Sequence, residues 1–302
     1  MARRPLSVVV PHYGSPASAL ALLRMLHAQE GSREGDLDLE VIVVDDCSPE
    51  PFPDRPGLHV VRRAENGGFG SAVNTGAAAA THPLLLVLNS DVRIERDFVT
   101  RLLDAADPWQ PAVVSPRVVD EQGEDVWVGR HFPTAAQQTV EWLTPLARWR
   151  DRTSLHRAVG HDVEARGRTA VVDWVIGAAM LIPLEQFRAV GGFDERFHMN
   201  AEEVDLQRRL LAEGVRAVVL EEPHLVHQGG GSSDPALSRR WLVDSRLRYA
   251  DKWGGRRTLQ ASLTAATAAN LAVNAVRRVA GRDLDPVAVA RDELSMIWKG
   301  DG

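Results

Sequence analysis

One cysteine, Cys47, stands in a chain of 302 residues. A disulfide within the chain is therefore excluded, no Cys/His spacing resembles a zinc site, and a reducing compartment suits the composition. There is no run of 18 or more apolar residues, so no segment is long enough to span a bilayer as a helix. The opening Met-Ala-Arg-Arg-Pro passes straight into a strand-like run, without the apolar region or cleavage site of a signal peptide. A cytoplasmic location is the expectation. The chain has no basic stripe interleaved with aromatics, and a net charge of −6 with a pI near 5.9 offers nucleic acid no general attraction. A phosphate loop of the Gly-Lys-Ser/Thr type is missing, and Asn66-Gly67-Gly68-Phe69-Gly70 lacks the full dinucleotide fingerprint at a first β-α turn. Kinase and dehydrogenase chemistry are set aside on that ground. Internal repeats and low-complexity linkers are absent too.

What is present is an ordinary globular composition, 44% hydrophobic and 25% charged, long enough for one large domain and an appendage. The pattern is clearest at Leu84 to Asp91, Leu-Leu-Leu-Val-Leu-Asn-Ser-Asp. Unbroken apolar residues read as a strand buried on both faces, and its carboxyl end carries Asp91 toward the crevice where open α/β sheets bind ligands. With Asn89 two residues earlier, Asp91 suits a hard divalent cation; it equally suits the cap of a helix starting near Ile94. Leu6 to Val10, Leu39 to Val44 and Leu58 to Val61 are further strands. Pro11 and Tyr13 follow the first, Asp45 and Asp46 close the second, and Glu65 to Gly70 leads from the third into a small-residue helix, Ser71 to Ala80, that Asn66 can cap. Four alternations of β and α predict a mainly parallel sheet with helices on both faces.

Beyond Ala106 the reading changes. Ala112 to Ser115 and Val126 to Val128 predict short strands, and His131 to Gly167 a variable insertion or partly helical lid. Apolar character returns at Val171 to Ile182, around Trp174 and Gly177. Glu202 to Ala212 reads as a helix with acids at its start and Leu206, Leu210 and Leu211 on the buried side. His227 precedes Gly229-Gly230-Gly231-Ser232-Ser233, a loop of the kind that closes over a site. The expected domains are 1–235 and a helical extension, 236–302. From Arg239 onward 12 Lys/Arg stand against 7 Asp/Glu. That excess of +5 fits either solvated helix faces or peripheral attachment to anionic lipid, with Trp241, Trp253 and Trp298 helping.

Gathered at strand ends and loop mouths, Asp45, Asp46, Asn66, Asp91, Glu202, Glu203, Asp205 and His227 make a site that can neutralise a departing diphosphate and take a proton from a hydroxyl. Group transfer from a nucleotide and metal-dependent hydrolysis are both open to it. The ordered motifs Val-Val-Pro-His-Tyr, Val-Val-Asp-Asp-Cys-Ser, Glu-Asn-Gly-Gly-Phe-Gly-Ser-Ala-Val-Asn-Thr-Gly, Leu-Asn-Ser-Asp-Val, Gly-Gly-Phe-Asp-Glu-Arg-Phe, Glu-Glu-Val-Asp-Leu and Val-His-Gln-Gly-Gly-Gly-Ser resemble glycosyltransferase family 2 over residues 6 to 233. These are inverting enzymes with the GT-A fold, a Rossmann-like, mainly parallel mixed sheet. Within the family the chain is most similar to bacterial rhamnosyltransferases that use dTDP-L-rhamnose in cell-wall or surface polysaccharide synthesis.

The resemblance implies that Pro11, Tyr13, Asp45, Asp46, Asn66 and Gly70 surround the nucleotide, together with Asn89 and Ser90. Asp91 and His227 would hold a divalent cation, Mg²⁺ or Mn²⁺. Asn89 takes the first acid position of the family's Asp-x-Asp motif, which leaves one metal carboxylate in place of two. Glu203 matches the catalytic base, with Glu where Asp is usual, and Glu202 is its alternative. Trp174 and Gly177 fall where an acceptor would bind, although Trp174 also suits a core position and Asp205 an arginine-binding one. The implied partners are a nucleotide-diphospho-sugar and a saccharide or lipid-diphosphate-linked saccharide, met at the inner membrane face. A transferase using a UDP-hexose, a catalytically silent nucleotide-sugar-binding scaffold and a nucleotide-sugar hydrolase are the competing readings.

Overall fold

Alternating β and α patterns build the first half of the chain. A computed structural model describes residues 4–30, 36–54, 57–229 and 235–298. In chain order come β1 (Arg4–His12), α1 (Ala17–His27), β2 (Leu37–Asp45), β3 (His59–Arg62), α2 (Phe69–Ala79), β4 (Leu84–Leu88), β5 (Val92–Arg93), α3 (Phe98–Ala106), β6 (Ala112–Val119) and β7 (Gly129–Arg130). Then follow α4 (Ala135–Trp142), α5 (Thr153–Ala158), β8 (Ala170–Val172), β9 (Trp174–Val175), β10 (Ala179–Pro183), α6 (Leu184–Ala189), α7 (Glu202–Ala212), β11 (Arg216–His227), α8 (Pro235–Trp253), α9 (Arg256–Val279) and α10 (Pro286–Trp298).

The main sheet runs β3-β2-β1-β4-β10-β6-β11-β5, with β8 on β11. Parallel pairing joins β1 to β2 and β4, β2 to β3, and β6 to β11; β10 is inserted antiparallel between β4 and β6. Val8, Val9, Leu85 to Leu88 and Met180 to Ile182 are fully buried, which is why these strands read as apolar runs without alternation. Each such side chain contributes roughly 1.5–3 kcal/mol on burial. Small residues in α2 have a packing reason: a Cβ on Gly76 would stand 2.5 Å from Val9 Cγ1. The strand order reverses at β1, so the crevice opens beyond the carboxyl ends of β1, β2 and β4.

Several local expectations change. Helix α2 begins at Phe69 with Gly68 as its cap and no side-chain cap bond, so Asn66 does not cap it. Helix α3 begins at Phe98, and Asp91 leads into β5, so Asp91 is no helix cap either. Residues 126 to 128 form no strand; the turn is closed by a single Val119–Asp125 bridge. Leu206 and Leu210, one turn apart, are buried on α7, but Leu211 lies about 100° further round and is 42% exposed. Residues 230 to 234 of the glycine-rich loop lie outside the described residues.

The chain divides into two compact units, one of Met1–His131, Glu164–His198 and Glu202–Ser232, the other of Phe132–Val163, Met199–Ala201 and Ser233–Gly302. Residues 132–163 group with the C-terminal helices. The reason is a second core, in which Trp142 packs with Val243, Leu247, Leu259, Leu263 and Ile297, stitched by buried polar groups. Trp142 Nε1 donates to Thr267 Oγ1 at 2.9 Å, Asn270 Nδ2 donates to the Trp142 carbonyl at 3.0 Å, and the Thr144 amide donates to Asn270 Oδ1 at 3.0 Å. Asn270→Ala strands the Trp142 carbonyl and the Thr144 amide. We expect a loss of about 2 kcal/mol, read as a lower denaturant midpoint at unchanged slope. Among the described residues no helix is long and apolar enough to cross a membrane.

Candidate active site

The two acids that close β2 have different tasks. Asp45 is fully buried; it accepts from the Ser48 amide at 2.9 Å and the Phe52 amide at 3.0 Å and pairs with Arg62. Burial pushes its carboxyl up, but the hydrogen bonds from Ser48 and Phe52 and the Arg62 guanidinium outweigh this and hold it below the usual carboxylate range. Asp46 accepts from the Gly67 amide at 3.1 Å and the Gly68 amide at 2.8 Å, with Arg63 Nε at 2.8 Å. Asp46 thus ties the Asn66–Gly70 loop to the end of β2. Pro11 pairs with Val44 and His12 with Asp45, which leaves Tyr13, 45% exposed, and exposed Asn66 at the mouth.

Gly68 is indispensable to this loop. Its φ is +83°, and an added Cβ would meet the His198 carbonyl oxygen at 1.8 Å. Backbone lies against backbone there, only a few residues ahead of Glu202. His12 is 3% exposed, sits edge-on to Phe52 and places Nε2 3.1 Å from the Gly14 carbonyl. Burial pulls its pKa down against the nearby Asp45 charge, so a neutral imidazole underlies the loop.

Asp91 and His227 come together through β5 and β11. His227 pairs with Val92, the Gln228 amide donates to the Asp91 carbonyl at 3.1 Å, and Asp91 Oδ1 lies 3.2 Å from His227 Nε2. Burial raises the Asp91 pKa, but the hydrogen bond and charge of His227 prevail and lower it. A carboxylate and an imidazole converging in this way suit one divalent cation. Among the described residues no group of three or more His, Cys, Asp and Glu converges, so the remaining positions would fall to water and substrate phosphate, the habit of Mg²⁺. Asn89, Ser90 and Asp91 form the turn out of β4, where the Asn89 amide donates to the Ala178 carbonyl at 3.0 Å.

That bond leads to the other half of the site, since Gly177 is the next residue along. A Cβ on Gly177 would stand 3.3 Å from the Phe69 ring and 3.9 Å from Glu203 Oε1. Glu203 lies in the first turn of α7, behind Asn200 and Ala201, both in the left-handed region at φ 69° and 66°. Such a backbone costs a non-glycine residue on the order of 1–3 kcal/mol. Glu203 Oε2 is shielded from water and has no hydrogen-bond partner, although part of the residue is accessible. Burial raises its pKa, opposed by its own backbone amide, the Arg130 charge and the Gly177 amide. Glu202 is 4% exposed, and Asp205, fully buried, holds Arg209 at 2.9 Å.

Gln207 lies four residues after Glu203, one turn along the same helix face. Its amide accepts from Val175 N at 2.8 Å, donates to Val175 O at 2.7 Å and reaches the Glu203 carbonyl at 3.0 Å. The clamp fixes α7 to β9, and hence Glu203 to Gly177. Trp174 is half-buried, its indole N–H donated to the His131 carbonyl at 2.9 Å.

The model of Glycosyl transferase family 2 matches residues 7–160. The chain belongs to glycosyltransferase family 2. It is 36% identical over 193 residues to the rhamnosyltransferase WbbL of Escherichia coli K12, covering 60% of this chain and 69% of that one. It is 28% identical over 218 residues to the N-acetylglucosaminyl-diphospho-decaprenol L-rhamnosyltransferase of Mycobacterium tuberculosis H37Rv, covering 66% and 70%. Among solved structures, the mannosyltransferase PcManGT of Pyrobaculum calidifontis, in complex with GDP-Man and Mn²⁺, aligns with a TM-score of 0.58 at 18% identity, covering 98% of this chain and 84% of that one. The fold of this glycosyltransferase is GT-A, as the motifs implied.

Proposed function

We propose that this family 2 enzyme is an inverting, metal-dependent transferase that moves L-rhamnose from dTDP-rhamnose to a hydroxyl of a lipid-diphosphate-linked saccharide. The observation that carries the reading is the pairing of two unlike centres across one strand end. Asp91 with His227 lies on one side, and half-buried Glu203, whose Oε2 is shielded and has no hydrogen-bond partner, on the other. The names of the two relatives support the choice of sugar and acceptor class.

Asp91 and His227 would hold Mg²⁺ or Mn²⁺, which when bound neutralises charge on the departing diphosphate. Pro11, Tyr13, Asn66 and Gly70 flank the nucleotide, beside two loops that Asp45 and Asp46 keep in shape. Glu203 accepts the proton of the acceptor hydroxyl. The freed oxygen attacks the anomeric carbon from the face opposite the leaving nucleoside diphosphate, and the configuration inverts. A raised pKa makes Glu203 the stronger base. Glu203 is assigned ahead of Glu202 because part of it remains accessible to an acceptor.

The test is calorimetric titration of dTDP-rhamnose, UDP-glucose, UDP-GlcNAc and UDP-galactose with Mg²⁺, Mn²⁺ or chelator, followed by transfer assays with and without a diphospholipid-linked N-acetylglucosamine. Metal-dependent binding of dTDP-rhamnose and acceptor-dependent release of dTDP are expected. Binding of a UDP-hexose in its place would reassign the donor, binding without turnover would favour a silent scaffold, and free sugar released without acceptor would mark a hydrolase.

The same reading places the C-terminal helices on an anionic membrane surface. Its support is the exposure of Val276 (69%), Val279 (90%) and Val287 (58%) at the α9–α10 turn, beside Arg277, Arg278 and Arg282. Apolar side chains flanked by arginine suit an interfacial depth. Val279→Asp should release the protein from phosphatidylglycerol vesicles in co-sedimentation. Equal sedimentation with neutral vesicles, or indifference to the substitution, would sink this assignment.

A further inference from the structure

Beside Glu203 lies a short ribbon to which the transfer steps above give no task. Strands β7 and β9 pair Gly129 with Val175 and Arg130 with Trp174, so Arg130 and Trp174 are cross-strand neighbours on one face. The Arg130 guanidinium stands 5.6 Å from the centre of the Trp174 ring, and Arg130 Nε donates to the Trp127 carbonyl at 3.3 Å. The indole is fixed in turn through its bond to the His131 carbonyl. Gln207 pins β9 to α7 through both backbone atoms of Val175. A cation and an aromatic face are thereby held in a set relation to the base.

We propose that Arg130 and Trp174 form an acceptor subsite, in which the indole takes the face of the acceptor sugar and the guanidinium takes a phosphate attached to that same sugar. The inference rests on Glu203 as the base, for it is Glu203 that marks where the attacking hydroxyl must lie. A guanidinium offers phosphate a planar, forked set of donors that a lysine cannot match, and it stacks on indole without losing them. The phosphate belongs to the acceptor because the donor diphosphate is assigned to Asp91 and His227, across the strand end from Glu203. There is a chemical consequence. Arg130 is near enough for its charge to favour ionised Glu203, so a phosphate that neutralises Arg130 leaves the carboxylate more basic. An acceptor carrying the phosphate is then selected in binding and again in proton abstraction.

The test compares farnesyl-diphospho-N-acetylglucosamine with octyl N-acetylglucosaminide, by calorimetry in the presence of dTDP and Mg²⁺, on wild type, Arg130→Gln and Arg130→Lys. Wild type should prefer the diphosphate compound by about tenfold or more, the scale of a charge-assisted fork. Arg130→Gln should erase that preference with the dTDP-rhamnose affinity unchanged, and Arg130→Lys, which keeps the charge and loses the fork, should reduce it severalfold. The proposal is overturned if wild type shows no preference, if the preference survives both substitutions, or if dTDP-rhamnose affinity falls in its place, which would put Arg130 on the donor diphosphate. Because binding is read without turnover, a preference seen in a protein that transfers no sugar would overturn the transferase reading and leave the subsite standing.

Discussion

Glu203→Gln should abolish measurable transfer and at the same time make the fold more stable at neutral pH. The first effect follows from the role assigned to the carboxylate: a positioned general base contributes about 10²–10⁴-fold, and glutamine accepts no proton. Nucleotide-sugar affinity should be unchanged, since Asp91 and His227 are untouched. The second effect follows from burial. Glu203 carries a pKa raised above its ordinary 4.5, mainly by loss of solvent. Between 4.5 and that raised value the folded chain holds a proton that the unfolded chain has released, so stability falls as pH rises through this window. Above it the cost of a buried charge is present in full, and glutamine removes it. Thermal melts across pH 4 to 8 should show wild type and Glu203→Gln converging at the acid end and separating toward neutrality. In wild type kcat/KM should fall on the acid side at a pH above the ordinary glutamate range. A variant that keeps transfer would transfer the base role to Glu202; one that is inactive but no more stable would mean that Glu203 is ionised at little cost.

Asp91→Ala should weaken nucleotide-sugar binding by about 100-fold or more and make what remains indifferent to metal, because the variant keeps only the imidazole of the proposed pair. Its effect on stability should be small. Both side chains are partly exposed, at 31% for Asp91 and 23% for His227, and ion pairs in such surroundings contribute about 0–1 kcal/mol. The sign is nevertheless defined. The folded pKa of Asp91 is lowered below its ordinary 3.8, so its contribution is present above that value and is lost as pH falls toward the folded pKa. Calorimetry with Mn²⁺, Mg²⁺ and chelator on the two proteins decides the matter. Retained metal-dependent affinity in Asp91→Ala would place the cation elsewhere.

The sequence carried the sheet legibly, since strands buried on both faces must be written as apolar runs, and β1, β2 and β4 are such runs. It also carried the acids at their ends, because a chain leaving a buried strand meets water there. Helix α7 was legible in full, from Glu202 to Ala212. What each polar residue touches was not legible. Asp45 and Asp46 read as one acidic pair, yet both close loops, one on Ser48 and Phe52 and the other on Gly67 and Gly68. Nor does the Asn66–Gly70 stretch show that the space at Gly68 is filled by the carbonyl of His198.

Local pattern is written in neighbours three or four residues apart, and that is the range over which sequence alone determined this protein: its strands, its helices and the family motifs strung along them. Long-range pairing decided the rest. Only the antiparallel seating of β5 on β11 brings His227 to Asp91. Only the Gln207 clamp on Val175 sets Glu203 against Gly177, and only the β7–β9 ribbon puts Arg130 beside Trp174. The physical reason is common to all three. In each, a backbone segment distant in sequence supplies the N–H or C=O, and its sequence carries no periodic trace of the pairing because nearly any residue has both groups.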